Sequence, residues 1–387
     1  MNDADRELDQ PKPFIEMKII SIYAVGMENS VMLVAGLGEH SVAEEVWRAT
    51  AGSTLVRHDL SRLADGIVHR WIDGLLTELR LEHGCVSCTM RLDLIPLLRT
   101  LPGPVVVHLD PALEPEAVCL ALEGEPVRVD AVVTVVDRAT WLADATGHDS
   151  LAGRGLSAAP GDRRTVSQLV VGQAEFADAL VLTGPSGDDR IEAVLDRLNP
   201  SAPRQEVAHL HVPTLLAAID RDARRGEVDD LFSPLLRGRP PLEAAHGVHL
   251  THFTARRPFH PARLHRTLVA LAQGVVRIRG RVWLASRHDT ALWLEAAGRA
   301  MRMADAGPWL TTAGTSPDTD ARHADLTVGQ ELHPGDREQE LVIIAHRSSS
   351  EVITSALREA LITDEEAALA GELRFADPFP GAHEKQS

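Results

Sequence analysis

Two closely spaced cysteines are the residues of this chain that most directly indicate chemistry. The stretch LEHGCVSCTMRL contains Cys85 and Cys88, two of the three cysteines in the chain. Zinc prefers four nitrogen or sulfur ligands in a tetrahedron, so this pair supplies two, and Glu82 or His83 could supply a third. A structural zinc site normally has a second Cys/His pair, and none lies nearby in the sequence. A structural or vestigial role without metal is therefore one alternative, and a redox pair is the other. We predict a transition-metal site at Cys85 and Cys88, with both alternatives open.

A glycine-containing loop after the first apolar run raises the question of phosphate binding. The run VMLVAG ends at Gly36, and Gly38 follows within VAGLGEHSVAEE. A phosphate loop needs a lysine that reaches the phosphates and a hydroxyl that holds Mg²⁺. Glu39 stands in this loop instead, and the chain has no lysine between Ile19 and Glu384. Backbone N–H groups near Gly36 and Gly38 could still attract an anion weakly, but efficient nucleotide hydrolysis is not expected.

The guanine-reading element of GTPases, Asn-Lys-x-Asp, is also missing. The equivalent place after a strand reads LTGPS, where Thr183, Gly184 and Ser186 replace the required residues. Beyond the first predicted strand the chain has a single asparagine, Asn199, and Pro200 rather than a lysine follows it. Two nucleotide-binding elements are therefore absent, and the sequence favours a protein that is not an enzyme.

Three further residues allow both a functional and a structural interpretation. Asp137 ends the run AVVTVVD, where it could contact Mg²⁺ or cap the following turn, and the cap is the favoured interpretation. His108 ends the run VVVH, and we expect it in the core. Cys119 lies in the apolar stretch EAVCLAL, and we expect it in the core as well.

Alternating strands and helices must position these residues. Continuous β-branched runs are typical of strands that are covered on both faces, and helical segments separate them. The sequence predicts strands at 31–35, 54–58, 105–109, 131–136 and 180–183, with helices at 41–50, 92–101 and 188–198. This pattern predicts an α/β domain with a doubly wound, mostly parallel sheet like that of P-loop NTPases.

A second, smaller α+β domain is expected after a linker rich in Arg, Pro and Gly. It has strands at 249–255, 275–285 (one long strand or a pair) and 341–346, and helices at 261–271 and 349–361. The predicted division is an N-terminal tail at 1–30, the first domain at 31–222, a linker at 223–245, the second domain at 246–372 and a tail at 373–387.

Charge is distributed unevenly between the two domains. The formal net charge of −17 argues against bulk attraction to nucleic acid, yet residues 253–302 contain ten arginines and two acidic residues. Arg277, Arg279 and Arg281 alternate, so on a strand they share one face that could hold RNA phosphates. A solvated edge strand that uses charge against aggregation is the alternative.

No apolar run is long enough to span a membrane, and the polar N-terminus is not a signal peptide, so we expect a cytoplasmic protein without membrane contact.

Several ordered motifs resemble the CobW-type GTPases, many of which are metal chaperones. They are the first strand with its glycine loop, GCVSCTMRLDLIPLL, VVVHLDPALEP and AVVTVVD, then RPFHPARLHRTL, VVRIRGRVWLA, GDREQELVIIAH and LITDEE. The resemblance spans roughly residues 31–370 and implies a GTPase-like domain followed by a CobW C-terminal domain. It implies GTP with Mg²⁺ near Gly36, Gly38 and Asp137, and zinc at the cysteine pair.

Two departures indicate a narrower subgroup. The family's Gly-Cys-x-Cys-Cys reads GCVSC here, with Ser87 in place of the middle cysteine, and its Walker-B glutamate region reads HLDP. HGCVSCT with VVHLDPALEPE is similar to CobW-like proteins of actinobacteria that recruit a hibernation factor to ribosomes under zinc starvation. This resemblance implies an adaptor whose partners are the ribosome and the hibernation factor. The basic stretch, by its charge, could then contact rRNA. A zinc-binding metallochaperone GTPase of the CobW class is the alternative.

Overall fold

The structure is a computed structural model. It describes residues 29–37, 40–81, 86–111, 113–159, 161–229, 235–236, 238–309, 337–369 and 373–379.

A large mixed sheet organises the first part of the chain. Its strands are β1 (Asn29–Gly36), β2 (Thr54–Asp59), β3 (Ile67–Ile72), β4 (Leu75–Arg80), β5 (Val105–His108), β6 (Val127–Asp137), β7 (Ala179–Thr183) and β8 (Arg204–Glu206). Their spatial order in the described chain is β4-β3-β2-β5-β1-β6-β7-β8. Neighbours from β2 to β8 pair in parallel, whereas β3 pairs antiparallel with β2 and β4. The doubly wound parallel sheet predicted from the sequence is confirmed, with an antiparallel hairpin added at one edge.

Helices cover both faces of this sheet. They are α1 (His40–Ala49), α2 (Val86–Thr89), α3 (Ile95–Thr100), α4 (Pro115–Leu122), α5 (Trp141–Ala145), α6 (Val166–Phe176), α7 (Asp189–Leu198) and α8 (Val212–Ala217). A π-helical turn at Met90–Leu94 joins α2 to α3. Alternate residues of β1 enter different cores, since Leu33 packs in the cluster that contains the α3 and α4 side chains, and Val34 packs with those of α1 and α8.

A smaller antiparallel sheet organises the second part of the chain. Its strands are β9 (His249–Ala255), β10 (Val275–Val282), β11 (Thr290–Ala297), β12 (Ala300–Pro308) and β13 (Gln339–Ala345), in the order β12-β11-β10-β13-β9. Helices α9 (Pro261–Leu271) and α10 (Ser350–Glu359) cover one face of it, and α11 (Asp364–Ala368) follows. The other face contributes Val342 and Ile344 to a core shared with α6 and α7 of the first part. The two parts are therefore packed against each other.

Several details differ from the sequence predictions. The hairpins β3–β4 and β11–β12 were not predicted. Of the two interpretations of 275–285, the single strand is confirmed, and it ends earlier, at Val282. The segment 373–379, assigned to a tail, is held in place, because Asp377 accepts hydrogen bonds from Ser286 Oγ (2.7 Å) and Arg287 Nε (2.8 Å). Phe379 also packs in the core of the smaller sheet.

The described part of the predicted linker is attached to the first domain. Arg225 N–H donates to Asp178 Oδ1 (2.9 Å), and the other oxygen of Asp178 accepts from Val132 N–H (2.8 Å). Gly226 lies close to Val129 and to Cys119 Sγ. The predicted domain boundaries themselves stay a prediction. In the part of the chain that the structure describes, no helix is both long and apolar enough to cross a membrane.

Candidate functional site

A cleft lies where β1 and β6 end, at the carboxyl edge of the parallel sheet, the usual place for ligands in such folds. Its polar lining comes from Thr134, Asp137, Thr140, Asp144 and Gln173. Its enclosed space is about 10 Å³, which is room for about one water molecule and far below the roughly 300–1,000 Å³ of a ligand pocket. The described lining contains two carboxylates and no basic side chain.

The two carboxylates of this cleft already have partners. Asp137 Oδ1 accepts from Ala139 N–H (2.9 Å), and its Oδ2 accepts from the Thr140 hydroxyl (3.3 Å). Asp144 pairs with Arg154 (2.8 Å). The geometry agrees with Asp137 as the cap of the turn after β6. The described lining therefore offers carboxylates, which are Mg²⁺ ligands, but no basic side chain for a phosphate group.

Gly36 is required by packing at the end of β1. Its φ of 141° lies in a region that favours glycine, and a Cβ at this position would stand 2.7 Å from the carbonyl oxygen of Val135. The strand pair β1–β6 therefore explains this glycine without a ligand. Gly38, the other residue predicted to bind an anion, and Glu39 lie outside the described residues.

The cysteine motif lies at the start of the helical segment α2–α3. Cys88 is half-buried on α2, and its sulfur takes part in a disulfide. Cys85 and the proposed extra ligands Glu82 and His83 lie outside the described residues. Within the described ranges, no group of three or more His, Cys, Asp or Glu side chains could hold a metal ion. A zinc ligand here must be a reduced thiolate, so binding depends on the redox state.

A buried charged cluster anchors this segment to the sheet, and sequence reasoning missed it. Asp93 in the π-helical turn contacts His58 Nε2 at 2.7 Å and also forms an ion pair with Arg70. His58 on β2 and Arg70 on β3 are direct cross-strand partners. The side chains of His58 and Asp93 are 4% and 12% exposed. A π-helical turn often marks a functional site, and here it follows directly on the helix that carries Cys88.

The remaining strand-end residues have structural positions. His108 is buried at the end of β5, in agreement with the core interpretation, and it has an interaction partner. Asp110, at the Walker-B position, accepts the N–H of Leu60 (2.8 Å). Cys119 is a buried free thiol, and burial with the nearby carboxylates of Asp178 and Glu116 raises its pKa to about 12.

The three alternating arginines share one face of β10, as expected, but they do not form an open row. Arg277 pairs with Glu175 of α6 (2.8 Å), and Arg279 pairs with the same carboxylate (3.1 Å). Arg279 is only 8% exposed at its side chain. Arg281 pairs with Glu340 (2.8 Å). The prediction that these arginines lie on an open surface is wrong, because this face of β10 packs on the first domain. RNA contact by these arginines stays a prediction.

Glu175 is the centre of a charged network between the domains. Burial by itself raises the pKa of Glu175, but Arg277, Arg279 and Arg224 outweigh it and hold that pKa below its usual value. Arg224 also pairs with Asp229 (2.7 Å), at exposures of 8% and 7%. Burial and the charge of Glu175 raise the pKa of Glu116.

Comparison with known proteins identifies relatives over nearly the whole chain. Residues 248–361 match the family model described as the cobalamin synthesis protein cobW C-terminal domain. The chain is 40% identical over 394 residues to the zinc chaperone Rv0106 of Mycobacterium tuberculosis, covering 92% of this chain and 94% of that protein. It is 27% identical over 334 residues to the zinc-regulated GTPase metalloprotein activator 1 of Dictyostelium discoideum, covering 77% and 69%.

A solved structure with detectable similarity is the Zn(II)-bound YjiA GTPase from E. coli. The two chains are 13% identical with a TM-score of 0.39, over 86% of this chain and 99% of the other.

Proposed function

Because the chain belongs to the CobW-type GTPase family, we propose that it binds zinc as a cargo and hands it to other proteins. The observation that carries the proposal is the position of Cys88, on a short helix followed directly by a turn that a buried His–Asp–Arg cluster ties to the sheet. The relative named as a zinc chaperone, at 40% identity, supports it.

The chemistry of two cysteines suits transfer better than permanent storage. Zinc takes four ligands, so a site with Cys85 and Cys88 as its only sulfur ligands leaves positions for water or for the ligands of a recipient. Thiolates must be deprotonated to bind, and metal uptake releases protons. The absence of lysine between residues 19 and 384 means that this transfer does not use a P-loop lysine for nucleotide hydrolysis.

A zinc competition experiment with two matched serine variants tests the proposal. The reduced full-length protein competes with a chromogenic chelator for Zn²⁺, and Cys88→Ser and Cys119→Ser are compared with it. We expect Cys88→Ser to weaken binding by more than about tenfold, because changing even a residue that only orients a metal ligand typically costs about 10- to 100-fold in affinity. Cys119→Ser should bind normally, because that thiol is buried and its raised pKa of about 12 keeps it protonated. Equal affinity in all three proteins would refute the proposal.

A ribosome adaptor in the cytoplasm is the second candidate function. The absence of lysine between residues 19 and 384 favours this function, because a family member without the P-loop lysine can still act as a binding scaffold. Its expected partners are the ribosome and a hibernation factor. Arg277 and Arg279 are engaged at the domain interface. We therefore assign the phosphate contacts to exposed arginines elsewhere in the basic stretch, such as Arg266, Arg299 and Arg302.

Co-sedimentation with ribosomes from zinc-starved cells separates the two functions. If the adaptor proposal holds, the wild-type protein pellets with ribosomes and the hibernation factor, and the Arg266→Glu/Arg299→Glu/Arg302→Glu variant pellets less. A protein that stays in the supernatant with a zinc enzyme as its partner would contradict the adaptor and support the chaperone.

A further inference from the structure

The outer strand of the large sheet has an open edge. β4 is the last strand in the order β4-β3-β2-β5-β1-β6-β7-β8, and within the described chain no strand pairs with its outer side. A two-residue loop, Asp73-Gly74, connects β3 to β4, with positive φ values of 47° and 84°. These values are typical of the type I′ turn, which brings Ile72 and Leu75 into a hydrogen-bonded pair.

The turn determines which backbone groups of β4 face outwards. Because Ile72 and Leu75 form the closing bonded pair, Leu75, Thr77 and Leu79 direct their N–H and C=O groups to β3. The backbone of Leu81 has the same orientation, since its N–H donates to the Gly66 carbonyl (2.8 Å). The N–H and C=O groups of Leu76, Glu78 and Arg80 therefore point away from the sheet. We call this row of three residues the β4 edge.

The β4 edge lacks most devices that protect such strands. It has no proline, no lysine and no register shift in its pairing with β3. Leu75 and Leu76 at the hairpin are 74% and 52% exposed. Its charged side chains, Glu78 and Arg80, have opposite signs and lie on the same face. In an antiparallel pair, each of these side chains can lie opposite the other one in a second copy of the strand.

We propose that the β4 edge pairs with the β4 edge of a second copy of this chain, which extends the sheet across a twofold axis. An antiparallel pair related by such an axis is self-complementary, as closed dimers require. Only outward residues of one copy can exchange bonds with outward residues of the other.

The charges select one register of this pair. With Glu78 opposite the second copy's Arg80, and Arg80 opposite its Glu78, two opposite-charge pairs form on one face, and Leu79 faces Leu79 on the other. Sliding one strand by two residues would place Glu78 against Glu78, and like charges directly opposite are destabilising. A further slide by two would set Glu78 against Leu76. The first register therefore satisfies both the backbone and the side chains.

Charge reversal and its double combination test this register in the full-length protein. Sedimentation velocity from about 1 to about 200 µM measures the dimer dissociation constant of the wild type, Glu78→Arg, Arg80→Glu and the double variant. Each single reversal replaces two attractive pairs with two repulsive ones, so we expect the dissociation constant to rise at least about tenfold. The double variant restores opposite charges and should return to within about threefold of the wild type.

Glu45→Arg provides the matched control, because Glu45 is an exposed helical residue that pairs only locally with Arg48. It should leave the dissociation constant unchanged. Circular dichroism confirms that each variant is folded. A wild-type protein that stays monomeric over the whole range would overturn the proposal, and so would single reversals that dimerise normally. Loss of the dimer in the single variants without recovery in the double variant would overturn the register. Restoration by the double variant would establish it.

Discussion

Replacing Glu175 with glutamine tests whether the charged network holds the two domains together. Glu175 Oε2 lies 2.8 Å from Arg277 and Oε1 lies 3.1 Å from Arg279, and its side chain is 13% exposed. The variant keeps the shape of the side chain but leaves two buried guanidinium groups without this counter-charge. Breaking a buried pair by removing one partner typically costs about 3–5 kcal/mol. We expect about 3 kcal/mol, because Asp229 and Glu295 remain near the two arginines.

Urea unfolding followed by tryptophan fluorescence measures this loss, and the pH dependence separates it from a packing defect. The pKa of Glu175 is lowered in the folded protein, so its contribution is present above the unfolded pKa of about 4.3 and is lost as pH falls through the folded value. The stability gap between wild type and Glu175→Gln should therefore shrink in acid. Glu44→Gln, at an exposed pair with Arg48, is the control and should change stability by less than about 1 kcal/mol. A Glu175→Gln variant as stable as the wild type at neutral pH would refute the reasoning.

Three further outcomes follow from other buried or paired groups. Asp93→Asn removes the charge that pairs with Arg70, and urea unfolding should show a loss of about 1–3 kcal/mol; an unchanged midpoint would mean that the cluster does not anchor the turn. The hydrogen bond to Glu340 raises the pKa of His252, so the pair's stabilisation is complete below about pH 6.5 and is lost as pH rises through the folded value. His252→Gln should therefore approach wild-type stability in alkaline buffer, and a constant gap would contradict this. Cys119, with its pKa raised to about 12, should resist iodoacetamide at about pH 7.5 in the folded protein and react in guanidinium; rapid labelling of the folded protein would contradict its burial.

Much of the fold could be predicted because the parallel strands are continuous β-branched runs. The segments VMLVAG, VVVH and AVVTVVD are most of β1, all of β5 and most of β6, and their carboxyl ends meet at one edge of the sheet. The β3–β4 hairpin was missed, although the dipeptide Asp73-Gly74 between two alternating segments is a strong signal for it. Residues 373–379 were assigned to a tail because no local sequence pattern reveals the pairing of Asp377 with Arg287.

Less of the candidate site than of the fold could be predicted from the sequence. The cysteine spacing predicts a metal site, which stays a prediction. The cluster that anchors the segment with Cys88 joins His58, Arg70 and Asp93 from three different elements. No local pattern links these residues, since 35 positions separate His58 from Asp93. The three charged groups become neighbours only when the chain folds, so no motif in the sequence marks them.

Composition alone excluded one kind of chemistry, and no tertiary arrangement can restore it. A body without lysine between residues 19 and 384 cannot place a P-loop lysine on a phosphate, because folding moves residues but does not supply them. The pairing of the arginines, by contrast, was decided by tertiary structure. Alternation put Arg277 and Arg279 on one face of a strand, and the same alternation suits either RNA or a carboxylate. Glu175, 104 positions from Arg279, reaches that face only because the domains pack together, and burial makes the pairing necessary.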